Sequence, residues 1–420
     1  MEIVSAGHLS AESLPQSNSA PPSHDLPGAP GGMRIAVVAN TTWYVYNFRR
    51  NLMMHLRDMG HELFAVGPED RYADFFRQEG IAHIHVPFHG AGKNPLREVE
   101  TLLRLRRIFR QHRIDVVLSY TPKGNIYSAF ALAGLEGKLL VNVSGLGRAF
   151  SRDGLLARTV QRLYQQAFRR AEWVFFQNDE DRSTFIGKRI VSHYKSSRLP
   201  GSGVDLRRFS ASHQAVDGPR DASGLAFLFV ARLLWDKGIG EYVEAARLVK
   251  RRHPDARFRV LGSIDRGGAG AVPEETLRAW MDEGLIEYLG ACDDVRPHLA
   301  SADCIVLPSF YREGVPRSLL EAAAMSRPVI TTDAVGCRDT VDDQFSGLLC
   351  KPKDSADLAE KICQFIAMPA AERALMGRRA REKMERDFDE RIVIDAYSAL
   401  LRVPQAAIGQ QPGTVPTASA

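Results

Sequence analysis

LPSFYREGVPRSLLEAAA, residues 307–324, is the stretch on which the reading of this chain turns. A short apolar β-type segment, Cys304 to Leu307, runs into it and is stopped by Pro308 and Ser309. It leaves as LLEAAAM, a strong helix former in which Leu319, Leu320 and Ala323 share one buried face. Between them lie Gly314, which lets backbone approach a ligand closely, and Pro316, which suits the first turn of a helix. The order is therefore strand, glycine loop, helix N-terminus. Unspent amides and the positive end of the helix dipole then suit an anion such as a phosphate. Glu313 and Glu321 frame the turn; a wholly helical span would separate them by roughly 12 Å at about 1.5 Å per residue. Carboxylates on either side of an amide-rich loop suit a ligand with hydroxyls at both ends and phosphates between. A nucleotide-sugar is such a ligand, although an ordinary loop with a glutamate at each end of a helix start has the same letters.

Working outward, apolar runs alternate with helical stretches on both sides. RIAVVAN reads as a buried strand, NFRRNLMMHLRDMG as a helix closed by Gly60, and HELFAVG and IAHIHVPF as further strands. REVETLLRLRRIFRQH is an amphipathic helix, followed by the strands IDVVLSY, LLVNVSG and EWVFFQN. The second half repeats the pattern with LAFLFVA, ARFRVLG, IEYLGA, CIVLPS and RPVITTD. Continuous apolar strands separated by helices predict parallel sheets covered on both faces. The expectation is an α/β chain of two doubly wound Rossmann-like domains facing one cleft, with ligands at the carboxyl ends of the strands. The predicted divisions are 33–205 for an acceptor-binding domain, 206–385 for a nucleotide-sugar domain, and 386–402 for a helix crossing back. Residues 1–32, rich in Ser, Pro, Ala and Gly, and 403–420 read as a disordered leader and tail.

Charge is shared unevenly. Residues 33–200 hold 26 Lys and Arg against 15 Asp and Glu, a net of +11, whereas residues 221–402 hold 26 against 30, a net of −4. The first half is thus expected to meet something anionic. No nucleic-acid module appears, which leaves an anionic membrane surface or a lipid diphosphate. Arg104, Arg106, Arg107, Arg110 and Arg113 concentrate the charge beside Leu102, Leu103, Ile108 and Phe109; a solvated basic face on a core helix is the plainer reading. No apolar run is long enough to span a bilayer. The five cysteines are scattered without a CxxC pair, which indicates reduced thiols and a cytoplasmic setting.

EGVPRSLLEAAAMSRPVITTDAVGCRDTV resembles the signature of the family 4 retaining glycosyltransferases of the GT-B fold, with Arg327 where a glycine usually precedes the proline. About eighty residues earlier, VARLLWDKGIGEYVEAA resembles the same family's phosphate clamp. The resemblance spans roughly Met33 to Leu401. It implies that Arg232 and Lys237 bind the donor diphosphate, that Glu313 contacts the donor sugar, and that Glu321 holds the ribose hydroxyls. Gly314, Val315, Pro316 and Arg317 are implied as the amide-bearing part of the donor site. An arginine fork and a lysine point charge also suit phosphate on chemical grounds, since a departing nucleotide diphosphate needs either cations or a metal. No DxD-type motif is placed to hold a divalent ion, Asp293 and Asp294 reading as a helix start. Metal-free, cofactor-free catalysis is expected.

LSYTPKGNIYSAFAL, SGLGRAF and GSGVDLRRF resemble a subgroup acting on undecaprenyl-diphosphate-linked glycans. Many relatives carry a histidine where Tyr120 stands, so Tyr120 or Lys123 is a candidate for its contact with the transferred sugar or the acceptor. Asn40, Thr41 and Thr42, after the first strand, are further acceptor candidates. Trp43, Tyr44 and Tyr46 either stack on a ligand or pack the domain. What the resemblance implies is retaining transfer of a hexose or N-acetylhexosamine from a UDP-sugar to a lipid-linked saccharide. It would be done by a cytoplasmic enzyme at the inner membrane face, during surface polysaccharide assembly. A UDP-sugar 2-epimerase, a sugar phosphorylase and a non-catalytic nucleotide-sugar-binding scaffold are the alternatives. No acid/base cluster supports the first, and the intact Arg232, Lys237, Glu313 and Glu321 set disfavours the last.

Overall fold

The computed structural model describes residues 32–88, 95–146, 155–212, 224–265 and 270–402. The expectations for the leader 1–31, the tail 403–420 and residues 147–150 of SGLGRAF lie outside the described residues. Within the first half, strands β1 (Arg34–Val38), β2 (Glu62–Gly67), β3 (Ala82–His85), β4 (Val116–Tyr120), β5 (Lys138–Val143), β6 (Trp173–Phe176) and β7 (Ser196–Arg198) form one sheet. Its order is β3-β2-β1-β4-β5-β6-β7. In the second half, β8 (Ala226–Val230), β9 (Arg257–Leu261), β10 (Glu287–Tyr288), β11 (Cys304–Leu307), β12 (Val329–Thr332) and β13 (Gly347–Cys350) form another. Its order is β10-β9-β8-β11-β12-β13. Every pairing in both is parallel.

Both sheets are doubly wound, as expected, because their strands are apolar on both faces. Alternate residues of β1 serve opposite cores, Ala36 and Val38 on one side and Ile35 and Val37 on the other. The order reverses between β1 and β4 in the first sheet and between β8 and β11 in the second. Ligand crevices of this architecture open at those points, beyond the carboxyl ends of the strands. The segments after β1, β4, β8 and β11 are those from which the candidate site residues come.

The closing helix Glu390–Arg402 lies on the first sheet, where Val393 and Tyr397 join its core against the helix Thr42–Asp58. The preceding helix Ala370–Asp387 packs instead on the helix Arg317–Ala324 of the second half. The chain crosses where Val204 N–H donates to Phe388 O at 2.8 Å. Two local expectations are corrected. Pro316 is the cap before the helix rather than its first turn. The helix read from Asn47 begins earlier, at Thr42, and takes in Trp43, Tyr44 and Tyr46, since the Thr41 hydroxyl accepts the Tyr44 amide and starts the helix there.

Candidate active site

The loop leaving β11 is stitched to the turn leaving β8. Phe310 and Tyr311 both donate their amides to Asp236 O, at 3.1 and 3.0 Å. Gly238 makes this crossing feasible: its φ is +80°, and a Cβ there would lie 2.0 Å from Pro308 O. The stitching brings Lys237 Nζ into an ion pair with Glu313 Oε1, with side chains only 15% and 11% exposed. Ser309 Oγ donates to the same Glu313 oxygen at 3.0 Å, and Nζ sits 5.2 Å above the Tyr311 ring. Below them Cys337 is buried, its thiol pushed up to about 12 by desolvation and by the Glu313 charge. A cation held this way is neutralised until a more strongly anionic group, such as a diphosphate, competes for it.

Arg232 stands apart from this pair, well exposed, with Nη1 3.7 Å from Asp265 Oδ2. Glu321 is one turn into its helix, 3.1 Å from Arg317 Nη2. Burial pushes its carboxyl above the ordinary glutamate value, and the guanidinium only partly offsets that. Arg317 also donates to Ser202 Oγ at 3.2 Å and to Gly203 O, reaching across to the segment that joins the halves.

The expected cradle of free amides at 314–317 is corrected at its middle, Val315 and Pro316. Val315 N–H is spent on Gln177 Oε1 of the first domain at 3.1 Å, and Pro316 has no N–H to offer. Glu313 N–H goes to Tyr311 O at 2.8 Å. Gly314 does allow a close approach, but to protein: a Cβ on it would lie 2.1 Å from Gln177 Oε1 and 2.8 Å from the Ser144 carbonyl. The loop is a joint between domains.

The first-domain candidates divide. Asn40 and Thr41 are exposed at the carboxyl end of β1. Thr42 is buried, donating to Pro68 O at 2.6 Å and facing His83 Nε2 at 3.1 Å, so it braces the fold rather than the cleft. Tyr120 is corrected likewise. Its ring is fully buried beneath the Arg49 guanidinium, 4.3 Å from the centroid, and beside Tyr397. Strand alternation turns it into the core shared with the helices Thr42–Asp58 and Glu390–Arg402, so it cannot stand in for the missing histidine. Lys123 is partly exposed and paired with Glu98 Oε1 at 2.6 Å.

Residues that the sequence did not single out also meet here. Gln177, Asn178 and Asp181, at the end of β6 and the start of the helix Asp179–Gly187, contact Arg312, Glu313 and Val315. The only local signal was a helix cap, Asn178 followed by acidic residues. What it faces is 135 positions away.

Comparison with known proteins agrees with this layout. Residues 224–368 match the family described as Glycosyl transferases group 1, and residues 47–195 match a Glycosyl transferase 4-like domain. The Campylobacter jejuni N,N'-diacetylbacillosaminyl-diphospho-undecaprenol alpha-1,3-N-acetylgalactosaminyltransferase is 27% identical over 382 residues, covering 88% of this chain and 98% of that protein. A D-inositol 3-phosphate glycosyltransferase of Saccharomonospora viridis is 32% identical over about half of each chain, 50% and 51%. Among solved structures, Anabaena HepE in complex with UDP and glucose superimposes with a TM-score of 0.72 at 17% identity, over 88% of this chain and 99% of that one. Sucrose-phosphate synthase of Thermosynechococcus elongatus gives 0.73 at 16%, over 88% and 98%. At such identities the structural likeness speaks to the fold.

Proposed function

We propose that this chain, which belongs to the group 1 glycosyltransferases and has their two-domain GT-B fold, moves a hexose or N-acetylhexosamine from a UDP-sugar to a polyprenyl diphosphate-linked saccharide. The observation that carries the reading is the Lys237–Glu313 pair at the mouth of the second sheet. A UDP donor is supported by the UDP held in HepE, whose fold this is. A lipid-linked acceptor is supported by the Campylobacter relative, whose name specifies one and which this chain covers almost completely.

In this reading Lys237 exchanges Glu313 for the donor diphosphate, and Arg232 swings from Asp265 to assist. Together they carry the charge that develops on the leaving nucleotide. Glu313, released, takes a hydroxyl of the transferred sugar, and Glu321 takes the ribose. No metal is assigned to the leaving group. Retention, which the family resemblance implies, is accounted for by departure and attack on the same face. The leaving phosphate then accepts the proton of the acceptor hydroxyl.

The acceptor's lipid implies a membrane partner, and the first domain offers a face for it. Helix Pro95–Gln111 exposes Leu96 (77%), Val99 (52%) and Leu103 (57%) beside Arg104 and Arg107. A basic amphipathic helix of this kind suits an anionic surface, each arginine contributing about 1 kcal/mol there. Among the described residues no helix is long and apolar enough to cross a membrane. We assign the enzyme to the cytoplasmic membrane face as a peripheral protein.

The test is a donor screen with purified protein and membrane extract of the host, following labelled sugar into the lipid fraction. Label from one UDP-sugar is expected. Release of nucleotide without lipid label would overturn the lipid acceptor, and failure of every UDP-sugar alongside turnover of another nucleotide-sugar would overturn the donor.

A further inference from the structure

A buried polar chain runs through the first domain and ends on the motif loop of the second. Ser119 Oγ donates to Asn125 Oδ1 at 2.9 Å, and Asn125 Nδ2 to Asn142 O at 2.9 Å. Gln177 Nε2 donates to Asn142 Oδ1 at 3.3 Å, while Gln177 Oε1 accepts Val315 N–H at 3.1 Å. Asn142 Nδ2 also reaches Tyr397 OH at 3.4 Å, tying in the closing helix. Beside Gln177, Asn178 Oδ1 caps its own helix at Asp181 N, 2.7 Å away. Its Nδ2 donates to Glu313 O and to Asp181 Oδ2, both at 3.2 Å. Asp181 Oδ1 takes Arg312 Nη2 at 2.9 Å. Gln177, Asn178 and Asp181 are all buried.

The first domain therefore grips the backbone on both sides of Glu313: the Arg312 side chain, the Glu313 carbonyl and the Val315 amide. None of the three gripping residues touches Lys237 or the Glu313 carboxylate. We infer that Gln177, Asn178 and Asp181 are positioning residues, through which the first domain, when the halves are closed, sets the Glu313 carboxylate of the donor site. This rests on the glycosyl-transfer reading for its catalytic consequence but not for its geometry. The physical reason is that buried polar groups accept few arrangements: Gln177, Asn178 and Asp181 bond the loop only where both domains meet it. If the joint opens, Glu313 keeps Lys237 and Ser309 but loses the backbone frame that orients it. Binding of UDP, made by the second domain, should survive. Chemistry, which needs the carboxylate placed to within a fraction of an ångström, should not.

Asn178→Ser tests this, because a serine retains the helix cap and deletes the Nδ2 donor to Glu313 O and Asp181 Oδ2. Asp181→Asn removes the charge facing Arg312, and Asp181→Glu serves as the conservative rescue. In full-length protein, kcat should fall about 10- to 100-fold in the first two. UDP affinity by calorimetry should hold within about threefold, and Asp181→Glu should recover part of the loss. Unchanged kcat in both variants, or UDP affinity falling in step with kcat, would overturn the inference. Hydrogen exchange across residues 310–318 reads the joint without turnover. It should be slow at Val315 in the wild type and at least about tenfold faster in Gln177→Ala, and equal rates would overturn the joint. A wild type that turns over no nucleotide-sugar but shows that exchange contrast would sink the transfer reading alone.

Discussion

Replacing Lys237 by Ala removes the cation from a nearly dry pair and leaves the Glu313 carboxylate with one neutral donor, the Ser309 hydroxyl at 3.0 Å. A charge-assisted hydrogen bond is lost, about 1.5–3 kcal/mol. A part of the desolvation cost of the orphaned carboxylate, about 1–2 kcal/mol at this burial, is added. The sum is about 2.5–5 kcal/mol. Glu313→Ala should cost less, about 2 kcal/mol, because the lysine stem is flexible and its ammonium retains the Tyr311 ring at 5.2 Å. The double variant should then cost less than the two singles together, with a coupling of about 1.5–3 kcal/mol. Urea denaturation monitored by circular dichroism measures all three differences. In the transfer assay Lys237→Ala should lose about 10²–10³ in kcat, the usual cost of one preorganised donor to a developing anion. Additive stabilities, with coupling under about 0.5 kcal/mol, would refute the contact. Turnover within a few-fold of wild type would refute its role at the diphosphate.

Four further outcomes follow from the same geometry. Gly314→Ala should cost about 1–3 kcal/mol and at least tenfold in kcat, because its methyl would meet Gln177 and the Ser144 carbonyl; thermal melts and kinetics check both, and a wild-type melt would contradict the close approach. Tyr120→Phe should leave transfer within about twofold, since the ring is buried under Arg49; a large fall in kcat would return Tyr120 to the cleft. Glu321→Gln should stabilise the protein at neutral pH while weakening UDP binding. The folded-state carboxyl is raised above 4.5 by burial, so the native state holds its proton more tightly than the unfolded chain, and stability falls as pH rises from 4.5 through the raised value. Unfolding across that pH range in wild type and variant checks the sign. Leu103→Asp on the exposed face of the helix Pro95–Gln111 should reduce co-sedimentation with anionic vesicles at least tenfold, burial of a leucine at an interface being worth about 1.5 kcal/mol or more. Transfer to a water-soluble acceptor analogue should be unchanged.

The alternation of β-type runs and helices was legible because parallel strands buried on both faces must be apolar throughout, as the segment CIVL before the motif is. The order of the motifs was legible too, since ligands of doubly wound sheets collect after particular strands. The resemblance went furthest at Glu313 and Lys237, whose neighbourhood follows from two adjacent strands, β8 and β11, ending side by side. It went less far at Arg317, whose guanidinium bonds Ser202 and Gly203 across 115 and 114 positions, and at Pro316, which caps the helix without an amide of its own.

What the string of residues dictates is whatever depends on period and proximity: two doubly wound sheets, the strand–loop–helix turn at 307–324, and a basic first half. Which way the last residue of a strand points, and what a loop spends its amides on, depend on neighbours that folding brings from far along the chain. Tyr120 looked like a cleft residue until the face of β4 was known. The Val315 amide looked free for an anion until Gln177, 138 positions away, was found on it. A hydrogen bond needs its partners within about 3 Å and in line, and sequence spacing carries no information about that once the partners lie on different domains.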